Sequence, residues 1–469
     1  MPAVSDPPAA YRAALERLYA RRRFGLRPGL EVIGGLLEQL GHPERKWRAI
    51  HVTGSKGKGS VATMAAAVLS ATVGPTGLYT SPHLQSYRER IRVDGTPIGT
   101  EETVAGLARV EGAAAVLARE RPELHAPTFF EVTTALAFDF FAREKVAAAV
   151  VEVGIGGRWD ATNVIHAPVG VITSVELEHT EILGPTLTHI AQEKAGILHA
   201  GAYAIVGERK GEPVAAIARE ADRLGVPLWS LGGHIRVSNR RLLRVGQQLD
   251  VELPSGRYER LRLPLDGPVQ ASNAALALAA AERFLATVGK PLDEASCRRA
   301  LKEFFWRGRL EKIPGRPELY ADVAHTPESV RAVVAALAER RPLLDPAENA
   351  VLFGCVQDKA AAAMLESLRG IAEALVLVPV RSERSRNPRD LRLDSAGRFP
   401  RTVLARSVEE GLPLLRAAVG AGGFGLVVGS DYLVGEVLDR IEGRTAGEPD
   451  LSDPMLAAPG LEPSARAGR

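Results

Sequence analysis

Cysteine is nearly absent: Cys297 and Cys355 are the only two in 469 residues, and they lie far apart. That scarcity argues against a disulfide framework or a cysteine metal site. It leaves two small buried thiols, expected in a reducing compartment. No apolar run is long enough to cross a bilayer, so no membrane partner is expected. The opening Met1-Pro2-Ala3-Val4-Ser5-Asp6 lacks the basic and then apolar order of a secretory signal, which points to the cytoplasm. Charge of one sign is also missing. A formal net charge of +3, spread along the chain, gives no reason to expect nucleic-acid binding. No repeat of solenoid period is present.

What is there is ordinary globular composition in a chain long enough for two or three domains. Tyr11, Leu15, Leu18 and Tyr19 recur at helical spacing, as do Leu30, Ile33, Leu36, Leu37 and Leu40. Arg21-Arg22-Arg23 between them reads as a solvated basic turn or as a contact for an acidic substrate tail. From Ile50 to about Leu198, short apolar runs alternate with helical patterns. Residues 147–153 and 169–175 read as strands buried on both faces, which belong to parallel sheets covered by helices. From Ile235 to Leu265, short alternating segments suggest a small antiparallel patch. Asn273 is expected to open an alanine-rich helix ending near Phe284. A second strand–helix series begins near Phe304, with candidate strands at residues 318–323, 350–353, 375–378 and 425–428. The expected units are residues 1–300, residues 301–444, and a disordered tail at 445–469 rich in Pro, Gly, Ala and Ser.

One segment carries more chemistry than any other: Thr53-Gly54-Ser55-Lys56-Gly57-Lys58-Gly59-Ser60. A buried-looking run, residues 47–52, feeds into it, and a helix-forming run, residues 61–69, follows. In that context backbone N–H groups converge on an anion at a helix N-terminus. Lys58 offers a point charge and Ser60 a hydroxyl for a phosphate-bound Mg²⁺. The spacing is shorter than the usual G-x-x-x-x-G-K-[ST], with Gly59 between lysine and serine.

In an open parallel sheet, ligands bind outside the carboxyl ends of the strands. This rule gathers the loop, Glu152 and Glu178-His179 at one crevice, because each lies at or just past a candidate strand end. Phosphate loop, carboxylate and imidazole together suggest a Mg²⁺–nucleotide site, since Mg²⁺ takes few protein ligands plus phosphate oxygens and water. Imidazole is an unusual Mg²⁺ ligand, so from spacing alone His179 fits a core or capping histidine as well. Glu152 fits a structural partner of a basic group as well.

The motifs, taken in order, resemble the folylpolyglutamate synthase / dihydrofolate synthase family of the Mur ligase superfamily. The resemblance runs from about Phe24 to Glu436. The family's T-G-T-N-G-K-G-S stands here as residues 53–60. Thr80-Ser81-Pro82-His83-Leu84 with Arg88-Glu89-Arg90-Ile91, and Thr128-Phe129-Phe130-Glu131, match two further motifs. Residues 151–163 carry a glycine-rich match ending Asp160-Ala161-Thr162-Asn163. Glu178-His179-Thr180-Glu181-Ile182-Leu183-Gly184 and Glu193-Lys194-Ala195-Gly196-Ile197 follow. Later, Trp306-Arg307-Gly308-Arg309-Leu310-Glu311 resembles W-P-G-R-L-E, residues 322–327 resemble D-G-A-H-N-P, and Gly354 to Lys359 resembles G-x-x-x-D-K.

The resemblance implies an α/β fold of two domains. The first is a mostly parallel sheet holding the phosphate loop, with helices on both faces and a small antiparallel patch; the second is a Rossmann-like α/β domain. It implies an ATP-dependent ligase that adds L-glutamate to dihydropteroate or reduced folates through an acyl phosphate, and a monomer. Gly54, Ser55, Lys56, Gly57, Lys58, Gly59, Ser60, Asn273, Arg309, Asp322 and His325 would hold the nucleotide. Ser60, Ser81, Glu152 and His179 would hold two Mg²⁺ ions. Lys194 matches a lysine that is carbamylated in the family; the other reading is an ordinary helix lysine. Lys58, His179, Lys194 and Arg309 would be catalytic. Phe129, Phe130, Asp160 and Ala161 are expected beside a pterin ring, with core packing the alternative for the phenylalanines.

The chain departs from the family at several points. Ser55 and Lys56 replace Thr-Asn, and Lys56 is expected to point to solvent. Glu178 replaces aspartate, Val269 histidine, Arg307 proline, and Val323 and Thr326 glycine and asparagine. Two rivals stand against this reading. A cell-wall peptide ligase of the same superfamily carries a separate domain ahead of the loop, and only 53 residues precede Gly54 here. A switch ATPase would turn over ATP without acid or amine.

Overall fold

The structure, a computed structural model, describes residues 8–21, 29–209, 211–341 and 345–444. Met1 to Asp6, Arg22, Arg23, Phe24 and the tail expected to be disordered from residue 445 lie outside the described residues.

Eight strands form the first sheet: β1 (Ala49–Thr53), β2 (Thr76–Tyr79), β3 (Ile91–Val93), β4 (Thr96–Pro97), β5 (Ala148–Glu152), β6 (Val169–Ile172), β7 (Tyr203–Val206) and β8 (Leu228–Ser230). Their spatial order is β4-β3-β2-β5-β1-β6-β7-β8. All pairings from β2 to β8 are parallel; β3 and β4 close one edge antiparallel. β1 sits in the middle, and all five of its residues are buried. Alternation assigns its side chains to two cores. Ile50 and Val52 join the helices Lys58–Val73 and Pro268–Thr287, while Ala49 joins Phe129–Arg143 and the N-terminal helices. β5 divides the same way, with Ala148 and Val150 on one side and Ala149 and Val151 on the other.

Alanine explains how two helices stack closely over β1. Ala62, Ala65 and Ala66 of Lys58–Val73 are buried in one cluster with Ala271, Ala274 and Ala277 of Pro268–Thr287. The second helix begins at Pro268, earlier than the expected Asn273, because Pro is pre-set for the first helical position and Gly267 (φ 88) makes the turn before it. Asn273 therefore lies inside the helix.

Three antiparallel strands, β9 (Arg236–Leu242), β10 (Gln247–Leu253) and β11 (Gly256–Leu263), fill the expected patch. The second sheet holds β12 (Glu311–Ile313), β13 (Glu318–Ala321), β14 (Ala350–Phe353), β15 (Ala374–Leu377), β16 (Arg401–Leu404) and β17 (Phe424–Val428) in the order β12-β13-β17-β14-β15-β16. Only β12 pairs antiparallel. Its faces are also covered on both sides: Leu352 and Val427 pack in one cluster, Phe353 and Val428 in the other. Among the described residues no helix is long and apolar enough to cross a membrane.

Candidate active site

The carboxyl ends of both sheets face a common cleft of about 580 Å³. The loop of residues 54–57 forms its floor. Gly54 (φ 147) has no room for a side chain, since a Cβ would lie 1.9 Å from Thr173 Oγ1 and 3.0 Å from the Ser174 amide. Gly57 (φ 85) precedes the helix Lys58–Val73 and lies over Asn273, whose Oδ1 would be 2.7 Å from a Cβ there.

The loop is braced by the segment after β6. Ser55 N donates to Ser174 O (2.9 Å), Lys56 N to Ser174 Oγ (2.9 Å), and Thr173 Oγ1 to Lys56 O (2.6 Å). Ser55 Oγ accepts from Glu176 N (2.9 Å), which accounts for a hydroxyl at that position. Lys58 folds back, Nζ donating to Gly54 O (2.8 Å). Ser60, in the first helical turn, is 1 % exposed.

Around the loop stand the charged groups gathered by strand-end placement. Glu152 ends β5 and is 4 % exposed, accepting from Ser81 N at 3.0 Å. Burial pushes its carboxyl up to about 7, against the pull of Lys58, the Ser81 amide and Arg309. His179 sits in left-handed backbone (φ 48) before the short helix Thr180–Leu183; burial lowers its pKa, with Glu178 opposing. Lys194, on the helix Leu187–Ala195, is 1 % exposed. That helix comes close because Gly157 has no side chain: a Cβ there would be 2.8 Å from Glu193 O.

Glu178 bridges two cations, Lys56 Nζ at 3.4 Å and Lys194 Nζ at 3.5 Å. Lys56 is therefore ion-paired at the cleft, a correction to the expectation that it points to solvent. Burial alone would raise the Glu178 carboxyl, but Lys58, Lys194, Lys56 and His179 outweigh it and hold it at about 2. For Lys194 burial wins over the Glu178 attraction, and its amine falls to about 8.

The second sheet supplies the opposite wall. Asp322 is buried and accepts from Leu310 N and Ala324 N, both at 2.8 Å, so it anchors the turn that carries Arg309 into the cleft. His325 Nδ1 donates to Val323 O (2.9 Å), which leaves Nε2 unprotonated in the neutral ring. Burial, with Lys56 and Lys359 nearby, lowers its pKa to about 3. Trp306 reaches the floor: its ring would lie 3.7 Å from a Cβ at Gly59.

Four expected residues are elsewhere. Phe129 and Phe130 are core residues at the start of the helix Phe129–Arg143, packed among Tyr79, Tyr87 and Tyr19. Asp160 is buried, accepting from Gly154 N, Ile155 N, Thr162 N and Thr162 Oγ1, so its carboxylate shapes its own loop. Ala161 is buried behind it. None of the four is among the residues that line this cleft. Sequence reasoning missed Thr173, Ser174, Glu176, Asp266 and Arg384, all cleft-lining. A Thr-Ser pair ending a buried strand was the available signal for the first two.

With this geometry in place, the relatives agree closely. The Mur ligase middle domain matches residues 52–281, and the Mur ligase glutamate ligase domain matches residues 308–431. A dihydrofolate synthase/folylpolyglutamate synthase of Bacillus subtilis is 32% identical over 434 residues, covering 92% of this chain and 99% of the relative. The chain belongs to the dihydrofolate synthase/folylpolyglutamate synthase family. It is an ATP-dependent ligase. Among solved structures, Mycobacterium tuberculosis folylpolyglutamate synthase complexed with ADP superposes with a TM-score of 0.85 at 33% identity, covering 92% of this chain and 98% of that one. E. coli FolC in complex with DHPP and ADP gives 0.81 at 28% identity over 94% and 100%. The α/β fold expected from the resemblance, a mostly parallel sheet with a small antiparallel patch and a second α/β unit, agrees with these structures.

Proposed function

We propose that this chain joins L-glutamate to dihydropteroate, to reduced folates, or to both, with ATP as the energy source and ADP and phosphate as products. The observation that carries the reading is the joint cleft. A phosphate loop from one sheet faces Arg309 and His325 from the other, and carboxylate, imidazole and lysine flank the gap.

A carboxylate and an amine do not condense unaided in water, because the oxygen to be lost is a poor leaving group. Transfer of the γ-phosphoryl group to the substrate carboxylate gives an acyl phosphate and ADP. The glutamate amine then attacks the acyl carbon, and phosphate leaves. Such transfers need mainly positioning and charge neutralisation. The loop amides and Lys58 hold the phosphates, Asn273 supports the loop from below, and Arg309 neutralises charge from the second domain. The apposed walls shield the anhydride from water.

The donor set suits Mg²⁺. Glu152 is a buried carboxylate that accepts from the Ser81 amide, beside the phosphate floor and near Ser60 and Ser81. Among the described residues no three His, Cys, Asp or Glu groups converge as a cage, and Mg²⁺ completes its shell from phosphate and water. Ser60, Ser81, Glu152 and His179 would hold two ions. Bound Mg²⁺ supplies charge neutralisation on the phosphate oxygens. Lys194 fits carbamylation, because an amine held at about 8 is partly neutral near neutral pH and its lone pair can add to CO₂. The unit boundary is placed at residue 300/301, and the protein is taken as a cytoplasmic monomer.

The test is to incubate pure protein with ATP, L-glutamate and either dihydropteroate or tetrahydrofolate, following ADP and identifying products by mass. ADP release that needs both acid and glutamate, with a product heavier by one glutamyl residue, is expected. Turnover independent of both would sink the reading in favour of a switch ATPase.

A further inference from the structure

Two polar residues that touch none of the proposed ligands join the two walls of the cleft. Gln85 lies four positions after Ser81 and is 6 % exposed. Arg307 lies two positions before Arg309. Arg307 Nη1 donates to Gln85 Oε1 at 2.9 Å, and Gln85 Nε2 donates to Asp439 Oδ1 (2.9 Å) and Glu442 Oε2 (3.2 Å) on the last helix, Asp431–Glu442. Arg307 also pairs with Glu442 (2.5 Å) and Glu311 (3.0 Å). The amide thus uses both of its ends across the domain boundary.

We infer that Gln85 and Arg307 are positioning residues, which hold the loop bearing Ser81 in fixed register with the turn bearing Arg309. The inference rests on the roles proposed for Ser81 and Arg309.

Rigid connections on both sides make the register transmissible. On the first wall, the Glu89 carboxylate accepts from the amides of Leu84 (3.0 Å), Gln85 (2.9 Å) and Ser86 (2.9 Å), and Ser81 N is bonded to Glu152. The stretch from Ser81 to Ser86 is thereby pinned at both ends. On the second wall, Gly308 N donates to Glu311 Oε2 (2.8 Å), and Asp322 fixes the next turn. A glycine lets the walls meet: a Cβ on Gly435 would lie 2.2 Å from Leu84 O. A proline at 307, as in the W-P-G-R-L-E pattern, has no side-chain donor, so the arginine is what provides this link here.

A displacement of Arg309 by about 1 Å from the transferring phosphoryl group lowers kcat steeply. Arg307→Ala and Gln85→Ala are each expected to lower kcat about tenfold, while the Kd for ATP, measured by equilibrium dialysis, changes far less. The double variant should be no slower than Gln85→Ala, because that change already removes the bond to Arg307 together with those to Asp439 and Glu442. Small-angle scattering should show a larger radius of gyration in each. Gln85→Glu keeps the acceptor for Arg307 but opposes Asp439 and Glu442, and should lie between; it serves as the probe if an alanine variant fails to fold. A contact that only stabilises would lower Tm and leave kcat untouched. Unchanged kcat in folded variants, or single effects that multiply in the double, would overturn the inference. Wild-type protein that shows no acid- and glutamate-dependent ADP release would instead remove the ligase reading, with the scattering comparison still reporting on the link.

Discussion

The two walls of the cleft are built differently. The first wall is made by backbone. Its loop is pinned through Ser55 N, Lys56 N and Lys56 O to Thr173 and Ser174 on the neighbouring strand end, and two glycines occupy conformations or spaces that a side chain would spoil. The second wall carries Arg309, Asp322 and His325 on a separate sheet, and side chains hold it against the first. Arg340 spans that gap. It pairs with both Asp266 oxygens and donates to the carbonyls of Leu243 (2.9 Å), Arg244 (3.3 Å) and Gly246 (2.8 Å). A wall made by backbone exists as soon as its domain folds. A wall held by side chains exists only while the domains stay apposed. Nucleotide binding should therefore belong to the first wall, and turnover to both.

The largest effect should come from the first wall. Lys58→Ala removes the ammonium that folds over the loop, and kcat/KM for ATP should fall about 10³-fold, with the far-UV circular dichroism spectrum unchanged. Full activity in that variant would refute the division. Arg309→Ala tests the other side. It should lower kcat about 10²-fold while the Kd for ATP shifts by less than about tenfold. If affinity and turnover fell together, the second wall would be part of the binding site and the contrast would collapse.

Sequence reading recovers the two walls unequally for the same reason. Gly54 to Ser60, Glu152 and His179 are legible because they lie at or just past short buried strands, and a parallel sheet puts such strand ends on one side; Lys194, on the helix Leu187–Ala195, comes only from the resemblance. Fully buried strands such as β5 and β14 announce themselves as continuous apolar runs. β16 escapes because it is an edge strand that alternates exposed and half-buried residues. Phe129 and Phe130 are ambiguous in sequence because an aromatic pair at a helix start looks the same whether it faces a ligand or a core. The structure shows both rings packed against Tyr79 and Tyr87. The contacts that hold the walls together, such as Arg340 with Asp266, join residues far apart in sequence and leave no local periodicity to read.

A smaller effect is expected from that contact. Side chains of Arg340 and Asp266 are 16% and 12% exposed, so the pair is screened less than a surface pair. Arg340→Ala should lower kcat a few-fold with the Kd for ATP little changed, and cost about 1–3 kcal/mol in the step in which the two halves separate, read by urea titration. An Arg340→Ala protein with the wild-type radius of gyration and kcat would show that the second wall needs no such tie.

The smallest effect separates the walls by pH. Each domain holds a histidine with a strongly lowered pKa: His51 in β1, lowered to about 3 by burial and by His199, and His325, lowered to about 3 by burial, Lys56 and Lys359. Both folded values lie below the unfolded value near 6.5, so the unfolded chain binds the proton more readily. The stability each contributes is present above about pH 6.5 and is lost as pH falls from there toward 3, by up to about 1.4 kcal/mol per pH unit per group. The two losses should differ in what they report. His51 is bonded to Thr162 Oγ1 (2.9 Å) inside the first domain, so its slope belongs to unfolding of that domain. His325 faces cations from both domains, Lys56 from the first and Lys359 from the second, so its slope should track their separation. Urea midpoints between pH 7.5 and 5 should therefore flatten in His51→Gln for the first-domain transition alone, and in His325→Gln only for the step that opens the cleft. Equal flattening of one common transition in both variants would mean that the walls fold and open as one unit.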